Sequence, residues 1–185
     1  MKHVGTTVLM ILVAVGLSHA VAAKEVCNVL PEPAEKMLGL ELEQFGGYED
    51  PRLGIGLVYA SENERLSLFR YDAGLETIDD DSFAKYFRSA VSDVYEGAKI
   101  EGQQLLDPIE IPDLEFLDFR VRNLLMLDPR EGYPIIELLG MGHDGLCMTK
   151  IRYTNSQGTD HIAALLRYAH LLDALERYLR GTDKS

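Results

Sequence analysis

From residue 37 onward the chain switches back and forth between two hydrophobic periods. In "LGLELEQF", Leu38, Leu40 and Leu42 alternate with Gly39, Glu41 and Glu43, the two-residue period of a strand with one wet face. After the break "GGYEDPR", the run "LGIGLVYA" sets Leu53, Ile55, Leu57 and Tyr59 against Gly54, Gly56, Val58 and Ala60. "RLSLFRYD" resumes an apolar strand beyond the polar turn "SENE", and these two runs form the clearest hairpin in the chain. Gly54 and Gly56 predict a bulge or a face where another element approaches closely.

At Phe83 the period becomes helical. Phe83, Tyr86, Phe87, Ala90, Val91, Val94, Tyr95 and Ala98 follow one another in steps of three and one, which draws a single apolar stripe along a helix. "QQLLDPIEIPDLEF", interrupted by Pro108 and Pro112, predicts a short extended piece at an edge or in a connection. "LDFRVRNLLML", "YPIIELLGM" and "LCMTKIRYT" are separated by "DPREG" and "GHDG" and predict a three-stranded antiparallel meander. A last helix begins after Thr159 or Asp160, with Ile162, Leu165, Leu166, Ala169, Leu172, Leu175 and Leu179 as its expected buried stripe. Hairpin turns link the strands, and no regular β-α-β alternation appears. The expected class is α+β, an antiparallel sheet of about six strands with two main helices packed on one face, in one domain over residues 37–181.

The two ends change the picture. Lys2 and His3, the apolar run Val8–Leu17 and the small residues up to Ala23 read as a signal peptide, residues 1–23, cleaved after Ala23 or, one residue earlier, after Ala22. The run is too short for a spanning anchor, which needs about 20 apolar residues. Cys27 follows Lys24-Glu25-Val26, not the small residues that precede a lipidated cysteine. Export to the periplasm without a membrane anchor is therefore expected. Residues 24–36 hold Pro31 and Pro33 and predict an irregular lead-in, and residues 182–185 a frayed tail.

Charge narrows the partners. Eighteen basic and thirty acidic residues give a net charge of −12, and loss of the leader removes Lys2 but no acid. Such a surface repels phosphate backbones and anionic lipid, so nucleic acid is not an expected partner. Two cysteines, Cys27 and Cys147, allow one pairing, and in an exported chain a structural disulfide is the expected state. The alternatives are two unpaired thiols or a redox pair, although the close Cys-x-x-Cys spacing of the latter is missing.

Candidate chemistry is sparse. Asp79, Asp80, Asp81 and Ser82 stand where a helix starting near Ser82 leaves unpaired N–H groups, and they are read as its cap. A calcium loop needs oxygens at alternate positions and a distant glutamate, so no metal is assigned. His161 and His170 fall on opposite faces of one helix, and His143 lies in a turn. Cofactor motifs and a nucleophile elbow are missing from the sequence. Carboxylate pairs such as Glu41/Glu43 and Glu62/Glu64 read as solvated. The least bland feature is the polar strand face Asp118, Arg120 and Arg122. With Tyr71 or Tyr153 on neighbouring strands it forms a candidate anion-binding face; the preferred reading is cross-strand ion pairing with Glu137 and similar residues.

"GYEDPRLGIGLVYASENERLSLFRYDAGLETIDDD" followed by an amphipathic helix, then "LDFRVRNLL…GYPIIELLGMGHDGLCMTKIRYT" and a terminal helix, resembles an uncharacterised family of small exported bacterial proteins. Its order of elements is similar to the α+β layout of the PsbP and DcrB type. That resemblance implies an accessory, binding or envelope-associated role and carries no functional residue over. The expectation is a non-enzymatic envelope accessory or interaction module, with an envelope protein or a small molecule as partner. The alternative is a small-ligand-binding protein or small hydrolase that uses an open sheet face.

Overall fold

A computed structural model describes residues 27–50, 53–117, 119–128, 135–156 and 160–182. The expected signal peptide and the last three residues lie outside them. Eight strands form one antiparallel sheet: β1 (Lys36–Met37), β2 (Leu40–Gly47), β3 (Ile55–Ala60), β4 (Glu64–Tyr71), β5 (Ile109–Phe116), β6 (Phe119–Asp128), β7 (Ile135–His143) and β8 (Met148–Asn155). Their order across the sheet is β1-β2-β3-β4-β8-β7-β6-β5. Two helices follow the first and second halves, α1 (Asp80–Ile100) and α2 (His161–Leu179). The expectation of about six strands misses β1, which lies in the lead-in, and β5, which pairs with β6 along the sheet edge despite Pro112. A register shift between Ile111 and Leu114 absorbs that proline, as an edge strand can.

The expectation that both helices share one face is also wrong. Leu138 of β7 packs in the core that holds α2, and its neighbour Leu139 packs in the core that holds α1. Adjacent strand residues point to opposite sides, so the helices lie on opposite faces of the sheet. The same split runs through β6, where Val121 and Leu125 face α2 while Leu124 and Met126 face α1. The physical reason is visible in "NLLML" and "IIELLGM". These are near-continuous apolar runs, the pattern of strands buried on both sides, and not the alternation of strands with one wet face.

Helix α2 lies on the larger core. It buries Ala164, Tyr168, Leu171, Leu172, Ala174, Leu175 and Tyr178, while Ile162 and Leu166 of the expected stripe remain 56% and 59% exposed. Polar contacts set that rotation. The Tyr168 hydroxyl donates to Asn123 Oδ1 at 3.0 Å, and the Tyr178 hydroxyl donates to the Pro31 carbonyl. Gly140 makes room beneath the first of these, because a Cβ there would lie 2.5 Å from Tyr168 Oη. Arg167 grips Glu64 with two bonds of 3.0 Å and also donates to the Leu38 carbonyl, while the Tyr153 hydroxyl donates to Glu64 Oε1 at 2.5 Å.

The lead-in is tied to this core. Cys27 and Cys147 are disulfide-bonded, with their Cα atoms 5.5 Å apart. Leu30 and Met37 pack beneath α2, and Tyr59 donates to the Ala34 carbonyl. The bridge joins residues 120 apart in sequence, so in the chain-entropy description it contributes up to about 4–5 kcal/mol by restricting the unfolded chain. A Cys27→Ala/Cys147→Ala variant is expected to keep its far-ultraviolet spectrum and lose a few kcal/mol in urea unfolding; unchanged stability would contradict the anchoring role.

Glu64 generates a second expectation. Burial raises its pKa, but hydrogen bonds from Arg167 and Tyr153 and the guanidinium charge outweigh that effect and hold the carboxyl below its ordinary value of 4.5. A group lowered in the folded state stabilises above its unfolded pKa, and that contribution fades as pH falls below 4.5. Glu64→Gln is expected to cost about 1–3 kcal/mol at neutral pH, because Arg167 is left partly buried beside a neutral group. The gap to the unsubstituted protein should narrow below pH 4.5 in denaturant titrations; a gap independent of pH would contradict the assignment.

Candidate functional site

The α1 face of the sheet is apolar only over part of its width. Leu124, Met126, Leu139, Met141 and Met148 meet Phe87, Ala90 and Val94 of α1 in a second core. Toward β4 and β3 the same face becomes mixed, with Gly56, Val58 and Ala60 on β3. Met148, Lys150, Arg152 and Thr154 alternate along β8, and the paired positions on β4 are Tyr71, Phe69, Ser67 and Arg65. A groove opens where α1 leaves this strip uncovered.

The groove has two adjoining parts. One, of about 350 Å³, is walled by Tyr48, Leu53, Phe69, Tyr71, Tyr86 and Ser89. The other, of about 260 Å³, is lined by polar groups that include Gln44, Arg65, Ser67 and Arg152. Phe69, Ala90, Asp93 and Lys150 line both and so mark the junction. Gly56 of β3 shapes the aromatic wall. A Cβ there would lie 2.9 Å from Tyr48 Oη and 3.3 Å from Phe69 Cδ1, so the missing side chain lets the Tyr48 ring lean over the strand, 6.1 Å from the ring of Phe69. Burial pushes the Tyr71 hydroxyl up to about 12, helped by Tyr86 and Asp93, which keeps it a neutral donor.

The cations of this face are treated differently. Arg152 donates to both oxygens of the buried Glu137, at 2.9 and 3.2 Å, and Thr154 donates to the same carboxylate at 3.0 Å. Arg65 pairs with Glu43 at 2.6 Å. Lys150 has its Nζ 5.0 Å from the centre of the Phe69 ring. Burial lowers its pKa; the Asp93 charge across the junction acts against that and Arg152 adds to it. Lys150 is thus a partly desolvated ammonium held over an aromatic face.

The expected site residues fall elsewhere, with one exception. Tyr71 lines the groove. Arg122 pairs with Glu110 and lies with its guanidinium 5.0 Å above the Phe87 ring, and Arg120 pairs with Glu115 at 3.4 Å. The ion-pair reading of these arginines therefore matches their geometry, but the partners belong to β5 and Glu137 belongs to Arg152. Tyr153 faces α2, on the other side of the sheet from Arg122, and Asp118 lies outside the described residues. Among the described members, Tyr153 is thus separated from Arg120 and Arg122 by the sheet, and Tyr71 by the two strands between β4 and β6.

Asp79 is the N-cap of α1: its side chain accepts from Ser82 N at 2.8 Å, and Ser82 Oγ accepts from Asp79 N at 3.0 Å. Asp80 and Asp81 occupy the first turn, next to the positive end of the helix. His143 is not the solvated turn residue expected. Its ring lies 5.0 Å from that of Phe83, its side chain is largely covered, and its Nε2 is 3.8 Å from Asp80. Lys150, Asp93, Tyr48, Phe69, Tyr86 and Ser89 were not singled out by sequence reasoning. A signal for Lys150 was present in "CMTKIRYT", where it shares its parity with the buried Met148.

No protein-family model and no curated protein matches the chain. Among solved structures, LpqN, described as involved in cell envelope biogenesis of Mycobacterium tuberculosis, is similar over 78% of this chain and 79% of its own. The identity is 14% and the TM-score 0.37, and the likeness carries neither a role nor a residue across.

Proposed function

We propose that this protein is an exported, non-enzymatic accessory protein of the cell envelope that holds a small, largely apolar molecule in the groove beside α1. The observation that carries the reading is the aromatic cavity of about 350 Å³ beside a partly desolvated lysine. Concave, mostly apolar sites with a few converging polar groups are the usual form of small-molecule sites. The disulfide favours an oxidising compartment, in keeping with the leader read from residues 1–23. A hydrolase reading has less support. The described lining residues include no histidine that could activate Ser89 as a nucleophile.

Ser89 also supplies the test. It lines the groove without contributing to the α1 core, so Ser89→Trp fills the cavity and leaves the helix packing in place. A neutral environment-sensitive dye such as Nile red is expected to bind the protein saturably with one site, and Ser89→Trp to weaken it by tenfold or more at unchanged melting temperature. Binding that does not saturate, or that is equal in the two proteins, would remove the groove as the site.

A further inference from the structure

We infer that the groove selects a small amphiphilic monoanion, a carboxylate on a short apolar body, with Lys150 as the anchor of the carboxylate; this rests on the groove being a ligand site. The arginines on this face show what a satisfied cation looks like. Arg152 is closed by both oxygens of Glu137, and Arg65 by Glu43. Among the described residues no carboxylate stands within 4.0 Å of Lys150 Nζ, and its cation–π contact with Phe69 covers one side only. A partly desolvated ammonium that has no carboxylate in contact, and meets Asp93 only across the junction, has room for a bound anion to complete its shell.

The surroundings fix the rest of the ligand. Lys150 sits at the junction of the two parts of the groove, so a head held there can send its apolar body between Tyr48, Phe69, Tyr71 and Tyr86. On the other side the head meets Ser67 and Gln44, neutral groups able to donate further bonds. Asp93 lines the same junction from α1. Its negative charge is tolerable opposite a single anionic head bound to Lys150 and unfavourable opposite a doubly charged one, which selects a carboxylate over a phosphate dianion. A cationic amphiphile would place like charges together at Lys150.

The test compares octanoate, octanol and octylammonium as competitors of Nile red on the disulfide-bonded protein. Octanoate is expected to displace the dye about tenfold more effectively than octanol, and octylammonium least. Lys150→Gln should abolish the difference between octanoate and octanol while leaving octanol unchanged, and Lys150→Arg should keep it. If octanol and octanoate compete equally on the unsubstituted protein, or if Lys150→Gln keeps the preference, the anion anchor is wrong and the groove still stands as an apolar site. If Nile red binds but its binding is indifferent to Ser89→Trp and to all three competitors, the groove reading falls, and this inference with it.

Discussion

The structure depends on a mismatch between the two faces of its sheet. One face is apolar from Leu40 and Tyr59 across to Val121 and Phe116, and α2 with the disulfide-pinned lead-in covers it. The other is continuously apolar where β6, β7 and the start of β8 meet α1, and toward β4 and β3 it mixes Val58, Phe69 and Tyr71 with Arg65, Ser67, Lys150 and Arg152. The central strands are buried on both sides, so each face needs a cover, but one helix cannot hide the whole width of an eight-stranded sheet. Where α1 ends its coverage, arginine, serine and lysine enter among the aromatic and small apolar residues of β3 and β4. The groove is the consequence of that change, not an addition to the fold.

Polar groups on a partly covered face must be satisfied, and most are. Glu137 is 3% exposed yet accepts from Arg152 and Thr154, and on the opposite face Glu64 does the same for Arg167 and Tyr153. Both carboxylates sit near the end of the sheet where β7, β8 and β4 run side by side, one on each surface. They hold neighbouring strands and a helix in register by charge-assisted bonds that an apolar pair could not orient. Lys150 stands apart from this pattern. It projects from a central strand into the half-covered strip, and an aromatic ring supplies what a carboxylate supplies for its neighbours.

Much of this could be read from the chain before any coordinates. The Leu53–Tyr71 hairpin, the meander from Leu117 to Thr154, the α1 stripe from Phe83 to Ala98 and the aspartate at its start were all written as local patterns, and local patterns are what periodicity reports. The placement of the helices was not, because covering a sheet on one side or on two is decided by the partners of a strand and not by its own alternation. "IIELLGM" carried that information as an apolar run, and assigning it to a strand without asking whether both its faces are covered lost it. The α2 stripe slipped for a similar reason: Ile162 and Leu166 are more hydrophobic than Ala164 and Tyr168, but hydrogen bonds from Tyr168 and Arg167 set the rotation. The site was least legible. Its residues come from β2, β3, β4, β8, α1 and the β2–β3 connection, and a lysine in a strand reads as solvated until the opposite helix is in place.

The account stands on Lys150 being an incompletely solvated ammonium with no carboxylate in contact in the ligand-free protein, Asp93 acting on it only across the junction. Titration of its ¹³Cε and Nζ resonances in a protein labelled at lysine, assigned through Lys150→Arg, measures that state directly. The account predicts a midpoint below the ordinary lysine value of 10.5, moving upward when octanoate is added. A midpoint at or above 10.5 in the free protein would mean that the ammonium is solvated or already paired, and would contradict it.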